Sequence, residues 1–217
     1  MSIYLKQFET QAAYEAAESG LILPNVSLTL DNNTVHYNPS SPTPSQEYVD
    51  LGLPSGTKWG KCNVGATSET EYGNFYQYGK GANQYAATSG QSDYSGTENP
   101  LALSADTAVQ VLGGSWHMPT LAQIEELTAN TTYEWTTING VNGGKFTAQN
   151  GNYVFFPAGG YWSNGINNGV GLAGNYWSST PWVLSGNAYS LAFYDGGKQV
   201  DGGENEGGCS VRGVVDE

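Results

Sequence analysis

The sequence is poor in charged residues, and the basic ones are outnumbered. Charged side chains make up 12% of the 217 residues, with 7 Lys and Arg against 20 Asp and Glu, so the formal net charge is −13. Nucleic acids and anionic membranes are bound by basic surfaces that displace counterions. The composition therefore argues against both as partners.

Long apolar runs and closely spaced cysteines are also missing. No apolar run reaches the roughly 18 residues of a transmembrane helix, and Met1 to Gln7 lack the apolar core of a secretory signal. We therefore expect no membrane insertion and no export by the general secretory route. Cys62 and Cys209 have neither zinc-site nor redox spacing, and their separation neither requires nor excludes a disulfide.

Signatures of catalysis are scarce. His36 and His117 are the two histidines, and neither has a Cys, Asp or Glu at metal-ligand spacing. We predict a structural role for His117, and no nucleophile elbow, Walker loop or dinucleotide fingerprint is present. We therefore expect no cofactor. Asp195, Asp201 and Glu204 could offer oxygen ligands to Ca²⁺, but their spacing matches no EF-hand loop.

Glycine and aromatic residues are abundant, with 30 Gly, 15 Tyr and 6 Trp. This composition indicates a loop-rich, aromatic-rich protein and argues against a helical bundle or a disordered chain. Residues Gln11–Ser19 are helix formers, and apolar alternation from Val26 to Tyr37 predicts a β-hairpin.

A proline-rich stretch, Asn38–Gln46, separates this beginning from the rest of the chain. We interpret it as a linker between an N-terminal element, residues 1–43, and a larger domain, residues 44–217. A proline-rich surface loop within one domain is the alternative.

The larger domain shows two helix patterns and several short strands. Thr120 is a candidate N-cap for a helix over Leu121–Thr128, and Ala105–Leu112 is a weaker candidate. Tyr153–Phe156 and Ala188–Tyr194 are predicted to be strands.

The segment Tyr161–Cys209 mixes Trp and Tyr with Asn, Ser, Gly and Asp, which is typical of a recognition surface. We predict that Trp177 belongs to the core, beside a turn at Ser178–Thr180. Alternation within Ala188–Tyr194 predicts one face for the core and one for solvent. The core set is Tyr189, Leu191 and Phe193, and the outward set is Ser190, Ala192 and Tyr194.

Six segments in order resemble a known family: Tyr48–Ala66 (YVDLGLPSGTKWGKCNVGA), Trp116–Thr120 (WHMPT), Asn139–Phe146 (NGVNGGKF), Asn152–Gly160 (NYVFFPAGG), Tyr176–Pro181 (YWSSTP) and Ser210–Val214 (SVRGV). They resemble a paralogous domain of gut Bacteroidetes with a C-type lectin fold of the formylglycine-generating-enzyme type. The resemblance implies an α+β, C-type lectin-like fold with long loops and two helices. His117 stands where that family usually has Arg. The reactive cysteine pair of the sulfatase-modifying relatives is also absent, so we expect no enzymatic activity.

The domain also resembles the variable proteins of diversity-generating retroelements, which place mutable residues near the C-terminal end of this fold. The resemblance implies a diversified ligand-binding face. Adenine-directed substitution does not produce Trp, Glu, Gln or Lys, so Trp182, Lys198, Gln199, Glu204 and Glu206 are expected to be template-fixed or to arise from other codons. The predicted face comprises Trp162, Asn164, Asn167, Trp182, Val183, Leu184, Ser185, Asn187, Ser190, Ala192, Tyr194, Asp201, Gly203, Asn205 and Cys209.

The N-terminal residues Tyr4–Pro39 are similar to leaders of structural proteins of Bacteroides phages. This likeness implies a virion protein, assembled in the host cytoplasm, that binds a bacterial cell-surface protein or glycan from a tail-fibre tip. The N-terminal element would contact other virion proteins and support a homo-oligomer, with a trimer expected. The alternatives are a bacterial surface adhesin of the same fold, and a diverged formylglycine-type oxidase or glycan hydrolase.

Overall fold

The computed structural model describes residues 27–31, 34–38, 47–85, 94, 98–182, 187–204 and 207–216, with backbone alone for 27–31, 34–38, 187 and 201–204. The chain divides into two compact units, Met1–Ser45 and Gln46–Glu217. In the first unit, β1 (Ser27–Asp31) pairs antiparallel with β2 (Thr34–Asn38), which confirms the predicted hairpin. The predicted helix over residues 11–19 lies outside the described residues.

The second unit is a mixture of helices and mostly antiparallel sheets, which confirms the α+β class. Its described residues contain two helices, and neither is long and apolar enough to cross a membrane. The helices are α1 (Thr107–Leu112) and α2 (Leu121–Asn130). The strands are β3 (Tyr48–Val49), β4 (Lys58–Gly60), β5 (Tyr76–Gln77), β6 (Thr131–Ile138), β7 (Val141–Ala148), β8 (Tyr153–Pro157), β9 (Tyr161–Ser163), β10 (Ile166–Asn168), β11 (Ala173–Pro181), β12 (Asn187–Tyr194), β13 (Gly197–Glu204), β14 (Gly207–Cys209) and β15 (Val214–Val215).

The strands of this unit form four sheets. Three have three strands, in the orders β6-β7-β8, β11-β12-β13 and β15-β4-β3, and one has four strands in the order β10-β9-β14-β5. The isolated bridges Gly160↔Gly174 and Tyr176↔Ser210 connect β11 to the four-stranded sheet. The strands from β9 to β14 are therefore gathered into two adjoining sheets.

Helix α2 confirms the predicted cap and the predicted buried stripe. The Thr120 hydroxyl accepts from the Gln123 backbone N–H, and the Gln123 side chain accepts from the Thr120 backbone N–H, which completes a capping box. Ile124 and Leu127 are buried, as their spacing predicted.

Helix α1 begins two residues later than its predicted start at residue 105. The reason is the side chain of Asp106, which accepts from the Val109 N–H at 3.0 Å and so acts as the N-cap. The same carboxylate accepts from the Met118 N–H, at 2.9 and 3.1 Å to its two oxygens. Asp106 therefore joins the helix to the segment that leads into α2.

A β-hairpin that the sequence analysis did not predict follows α2. Strands β6 and β7 pair from Thr131↔Ala148 to Ile138↔Val141. Their turn is Asn139–Gly140, with φ values of 50° and 82°. Both residues are left-handed, the conformation that Asn-Gly adopts in two-residue hairpins.

Two clusters of buried side chains lie on opposite sides of the β11-β12-β13 sheet. Tyr176 and its pairing partner Leu191 belong to a cluster rich in phenylalanine, with Phe146, Phe156 and Phe193. The next residue of β11, Trp177, belongs to the second cluster. Trp177 is 2% exposed, which confirms its predicted place in the core. The predicted turn over residues 178–180 is wrong, because β11 continues to Pro181 with an irregularity after Trp177.

Arg212 is fully buried between elements that are distant in sequence. Its guanidinium donates to the backbone oxygens of Gly60, Lys61 and Phe155, at 2.7 to 2.9 Å, and to the Asn63 side chain at 2.9 Å. Burial lowers the pKa of Arg212 from its ordinary value. These bonds connect β4 and β8 to the C-terminal end of the unit.

Candidate functional site

The β9–β10 hairpin is the rigid base of a candidate recognition site. Its turn, Asn164–Gly165, has φ values of 49° and 76°, again the left-handed pair of an Asn-Gly hairpin. Trp162 in β9 lies against Phe75 and Tyr85, with ring centroids 6.4 and 5.8 Å away. The Tyr85 hydroxyl accepts from the Gly165 N–H at 3.1 Å, so the turn is tied to the body of the unit.

The loop that contains this hairpin is closed at its base. The Gly160 N–H donates to the Ala173 carbonyl at 2.8 Å, and the Gly171 N–H donates to the Ala158 carbonyl at 2.7 Å. Residues 161–172 therefore leave the body of the unit and return to it at neighbouring points.

Large apolar side chains are exposed on this closed loop and on the strand end beside it. Tyr194, at the end of β12, pairs with Ala173, and the Tyr194 carbonyl accepts from the Tyr133 hydroxyl at 2.6 Å. Five of the seven large exposed hydrophobic residues among the described ones belong to this region. We call them the display face: Tyr161, Ile166, Val170, Leu172 and Tyr194.

Four of these five residues were missed by the sequence analysis, which named only Tyr194. The available signal was local: after the adjacent pair Tyr161–Trp162, the single apolar residues up to Leu172 are separated by Gly, Asn and Ser. Such a string forms turns, and a turn does not bury isolated apolar side chains.

A buried amide oxygen lies under the hairpin. The Oδ1 atom of Asn167, in β10, is buried and has no hydrogen-bond partner in the described structure. It lies 2.8 Å from the position that a Cβ atom on Gly160 would occupy. Asn167, one of the predicted site residues, is therefore half-buried under the display face and not on its surface.

The predicted outward set of β12 is outward at one end only. Tyr194 is 48% exposed, Ala192 is half-buried, Ser190 is 5% exposed and Ala188 is fully buried. The prediction for Ser190 is wrong, because Ser190 pairs with Trp177 on the face that the second core cluster covers. The predicted core residues Leu191 and Phe193 are buried, whereas Tyr189 is half-buried.

Cys209 was also predicted to lie on the variable face, and it is 6% exposed. It pairs with Tyr76 in the four-stranded sheet and contributes to the second core cluster. Burial raises the pKa of its thiol, so the group remains protonated. Gly207, two residues before Cys209, has no room for a side chain, because a Cβ atom there would overlap the Trp162 carbonyl oxygen.

The remaining predicted residues lie on the same two sheets or outside the described chain. Trp162 is half-buried, and Asn164 is exposed at the hairpin turn. Trp182, after β11, packs on Tyr189 with ring centroids 4.9 Å apart. Asn187 pairs with Glu204, and Ser190 and Ala188 pair with Asp201 and Gly203 of β13. Val183, Leu184, Ser185 and Asn205 lie outside the described residues.

The described side chains offer no arrangement for a metal ion or a disulfide. No group of three His, Cys, Asp or Glu residues among them could hold a metal ion, and the side chains of Asp201 and Glu204 are not described. Cys62 and Cys209 form no disulfide. Burial raises the pKa of Cys62 as well, so neither thiol is activated as a nucleophile.

Comparison with known proteins gives no relative: the chain matches no family model, no curated protein and no solved structure.

Proposed function

We propose that the second unit is the ligand-binding domain of a phage receptor-binding protein, with a C-type lectin-like fold, and that the display face binds a bacterial surface molecule. The observation that carries the proposal is the concentration of exposed apolar side chains on residues 161–172 and Tyr194. Contiguous exposed apolar surface is typical of an interaction site, whereas isolated exposed apolar residues need no explanation.

The fold assignment is supported by the sequence segments that resemble the family and by the architecture. Two helices, antiparallel sheets and long glycine-rich connections agree with what the resemblance implies.

The rigidity of the hairpin supports a binding role for its surface. The Asn164–Gly165 turn, the Tyr85 bond to Gly165 and the packing of Trp162 fix the backbone before any ligand arrives. A site that is already ordered loses less conformational entropy on binding. Exposed Tyr, Ile, Val and Leu side chains around polar Asn and Ser suit either a protein surface or a glycan.

The proposed mechanism is weak recognition by each copy, strengthened by several copies on one fibre. The net charge of −13 gives little electrostatic attraction to an anionic cell surface. The affinity therefore depends on the contact area of each copy and on the number of copies. In this proposal the first unit, Met1–Ser45, provides attachment to other virion proteins and supports a trimer. Diversification of residues around the display face would change the ligand without changing the fold.

The test measures binding of the fluorescently labelled full chain to intact Bacteroides cells. Tyr194→Ala removes an exposed aromatic ring of the display face, and Tyr48→Ala removes one that is similarly exposed elsewhere, 54% against 48%. We expect Tyr194→Ala to weaken binding by about tenfold or more, as for an aromatic residue at the centre of an interface, and Tyr48→Ala to leave it unchanged. Equal effects of the two substitutions, or no binding to any strain, would contradict the proposal.

Sequencing the 3′ end of the gene across a natural population tests the diversification. We expect substitutions at adenines of a nearby template copy, with the codons for Ala192 and Tyr194 among the variable ones and those for Gly207 and Gly208 constant. The position of the gene among phage structural genes or among bacterial surface-protein genes separates a virion protein from an adhesin.

A further inference from the structure

A second candidate site lies apart from the display face. A cavity of about 760 Å³ opens beside the N-terminal end of α2 and contains no residue of the display face. The residues that line it include Thr57, Trp116, His117, Gln123, Ser179 and Asp216. Its volume falls within the range of small-molecule sites, roughly 300 to 1,000 Å³.

Polar side chains from three separate parts of the chain meet on one wall of this cavity. The Asp216 carboxylate accepts from the Gln123 side chain at 2.7 Å and from the Thr57 hydroxyl at 3.1 Å. Its other oxygen lies 3.2 Å from Nε2 of His117, and the Nδ1 atom of that ring lies 2.9 Å from the Met118 carbonyl. These bonds hold the polar groups in fixed positions before any ligand binds.

One buried side chain that lines the cavity lacks a hydrogen-bond partner. Ser179, in β11, is 1% exposed, and its hydroxyl has no partner in the described structure. The residue cannot move away, because its N–H donates to the Pro119 carbonyl at 2.7 Å and its own carbonyl accepts from the Leu101 N–H at 2.9 Å. Buried hydroxyls are normally paired, so an unpaired one on a cavity wall points to a ligand group that pairs with it.

The composition of the walls selects the class of ligand. None of the lining residues is Lys or Arg, and two are carboxylates, so an anionic ligand is disfavoured. Trp116 is half-buried and offers an aromatic face beside the apolar side chains of Leu101 and Val109. A neutral molecule with one apolar face and an edge of hydroxyl groups matches the apolar side around Trp116 and the polar wall around Asp216.

We propose that this cavity binds a neutral saccharide unit, with the ring on Trp116 and its hydroxyl groups on Asp216, Gln123 and Ser179. The Asp216 carboxylate accepts from sugar hydroxyls, the Gln123 amide bonds to a neighbouring hydroxyl, and the Ser179 hydroxyl gains the partner that it lacks. The proposal needs no metal ion and does not depend on the display face.

The test is calorimetric titration of the full chain with glucose, galactose, mannose and N-acetylglucosamine, with choline as a cationic probe and inorganic phosphate as an anionic one. We expect at least one of the four sugars to bind with a dissociation constant in the millimolar range or below, and neither charged probe to bind. Binding of choline or phosphate alone, or of no probe, would overturn the proposal.

Variants decide whether the bound sugar occupies this cavity. Trp116→Leu and Asp216→Asn are expected to weaken sugar binding by about tenfold or more, whereas Tyr194→Ala on the display face leaves it unchanged. Ser179→Ala is expected to weaken sugar binding without lowering the thermal unfolding midpoint, because its hydroxyl has no partner in the unliganded fold. Sugar binding that survives Ser179→Ala and Asp216→Asn, or that is lost in Tyr194→Ala, would contradict this site. Since cell binding is measured separately with Tyr194→Ala, failure here leaves the proposed receptor-binding function standing.

Discussion

Gly207 in β14 lies so close to β9 that a side chain would collide with backbone rather than with a movable group. We expect Gly207→Ala to lower the free energy of unfolding by about 3 kcal/mol or more, because overpacking against a fixed carbonyl cannot relax. Urea unfolding measures the change.

Gly171→Ala is the matched control. Gly171 has φ of 74° and nothing within 4 Å of its would-be Cβ atom, so only the left-handed conformation opposes a side chain there. That cost is about 1 kcal/mol. Equal losses in the two variants would show that the contact between β9 and β14 is looser than described.

The buried guanidinium of Arg212 donates to three backbone carbonyls and to the amide oxygen of Asn63. Arg212→Met keeps much of the volume and leaves those acceptors unpaired. We expect the free energy of unfolding to fall by about 3 to 5 kcal/mol in urea titrations. Lys61→Met, which removes an exposed ion pair with Glu47, is the control and should leave the unfolding midpoint unchanged.

Single residues differ in how far the sequence alone predicts them. The Thr120 cap was predictable because its partner Gln123 is three positions away. The burial of Arg212 was not, because its partners lie in residues 60–63 and in β8, at least 57 positions away, and charged residues are usually exposed.

Along one face of β12 the side chains change from exposed at Tyr194 to buried at Ser190. The effect of an added charge on the free energy of unfolding should therefore depend on its position. We expect Tyr194→Asp to change the free energy of unfolding by less than about 1 kcal/mol, because the group stays in water. Ser190→Asp places a carboxylate beside the buried Trp177 face, and we expect a loss of several kcal/mol or a failure to fold. Denaturant unfolding followed by tryptophan fluorescence compares the two, and similar midpoints would refute the burial gradient.

Elements were predicted where their signal is periodic and local. The period of Leu121, Ile124 and Leu127 identified α2, and alternation identified the β1–β2 hairpin and β12. Alternation correctly divided β12 into two faces, but the face containing Ser190 and Ala188 is covered by residues that the sequence places elsewhere, including Tyr76, Tyr78 and Cys209. Sequence periodicity gives the faces of a strand, and tertiary packing decides whether each face meets solvent.

The whole unit buries several groups that titrate at alkaline pH. Burial raises the pKa of Tyr133 and Tyr176 to about 12, and raises the pKa of Cys209 and Tyr78 further. In the unfolded chain these groups lose protons near their ordinary values of 9.0 and 10.0. At a pH between the unfolded-state pKa and the folded-state pKa of such a group, the native state binds more protons than the unfolded state. The free energy of unfolding therefore falls as pH rises through this range.

We therefore expect the thermal unfolding midpoint to decline steadily as pH rises from about 9 to 11 at constant ionic strength. Tyr133→Phe removes one of the titrating groups and should make the decline shallower. A midpoint that stays level up to pH 11 would contradict the burial of these side chains.

The organisation of the whole unit was predictable only in class. Few charges with many Gly and aromatic residues indicated a loop-rich protein, the family resemblance implied the α+β class, and the structure has that class. The cavity was not predictable, because Thr57, His117, Ser179 and Asp216 converge from four distant points of the sequence, and none of them carries a recognisable spacing.

The Asn-Gly turns of the β6–β7 and β9–β10 hairpins are also sites of slow chemical change. In an Asn-Gly pair the side-chain carbonyl carbon is open to attack by the next backbone nitrogen, a route to slow deamidation that makes such asparagines labile. The Gly165 N–H donates to the Tyr85 hydroxyl, whereas nothing lies within 4 Å of the position that a Cβ atom on Gly140 would occupy. On prolonged storage, peptide mapping should therefore find the negative charge of deamidation at Asn139 before Asn164. The β9–β10 hairpin is then modified more slowly than the β6–β7 hairpin.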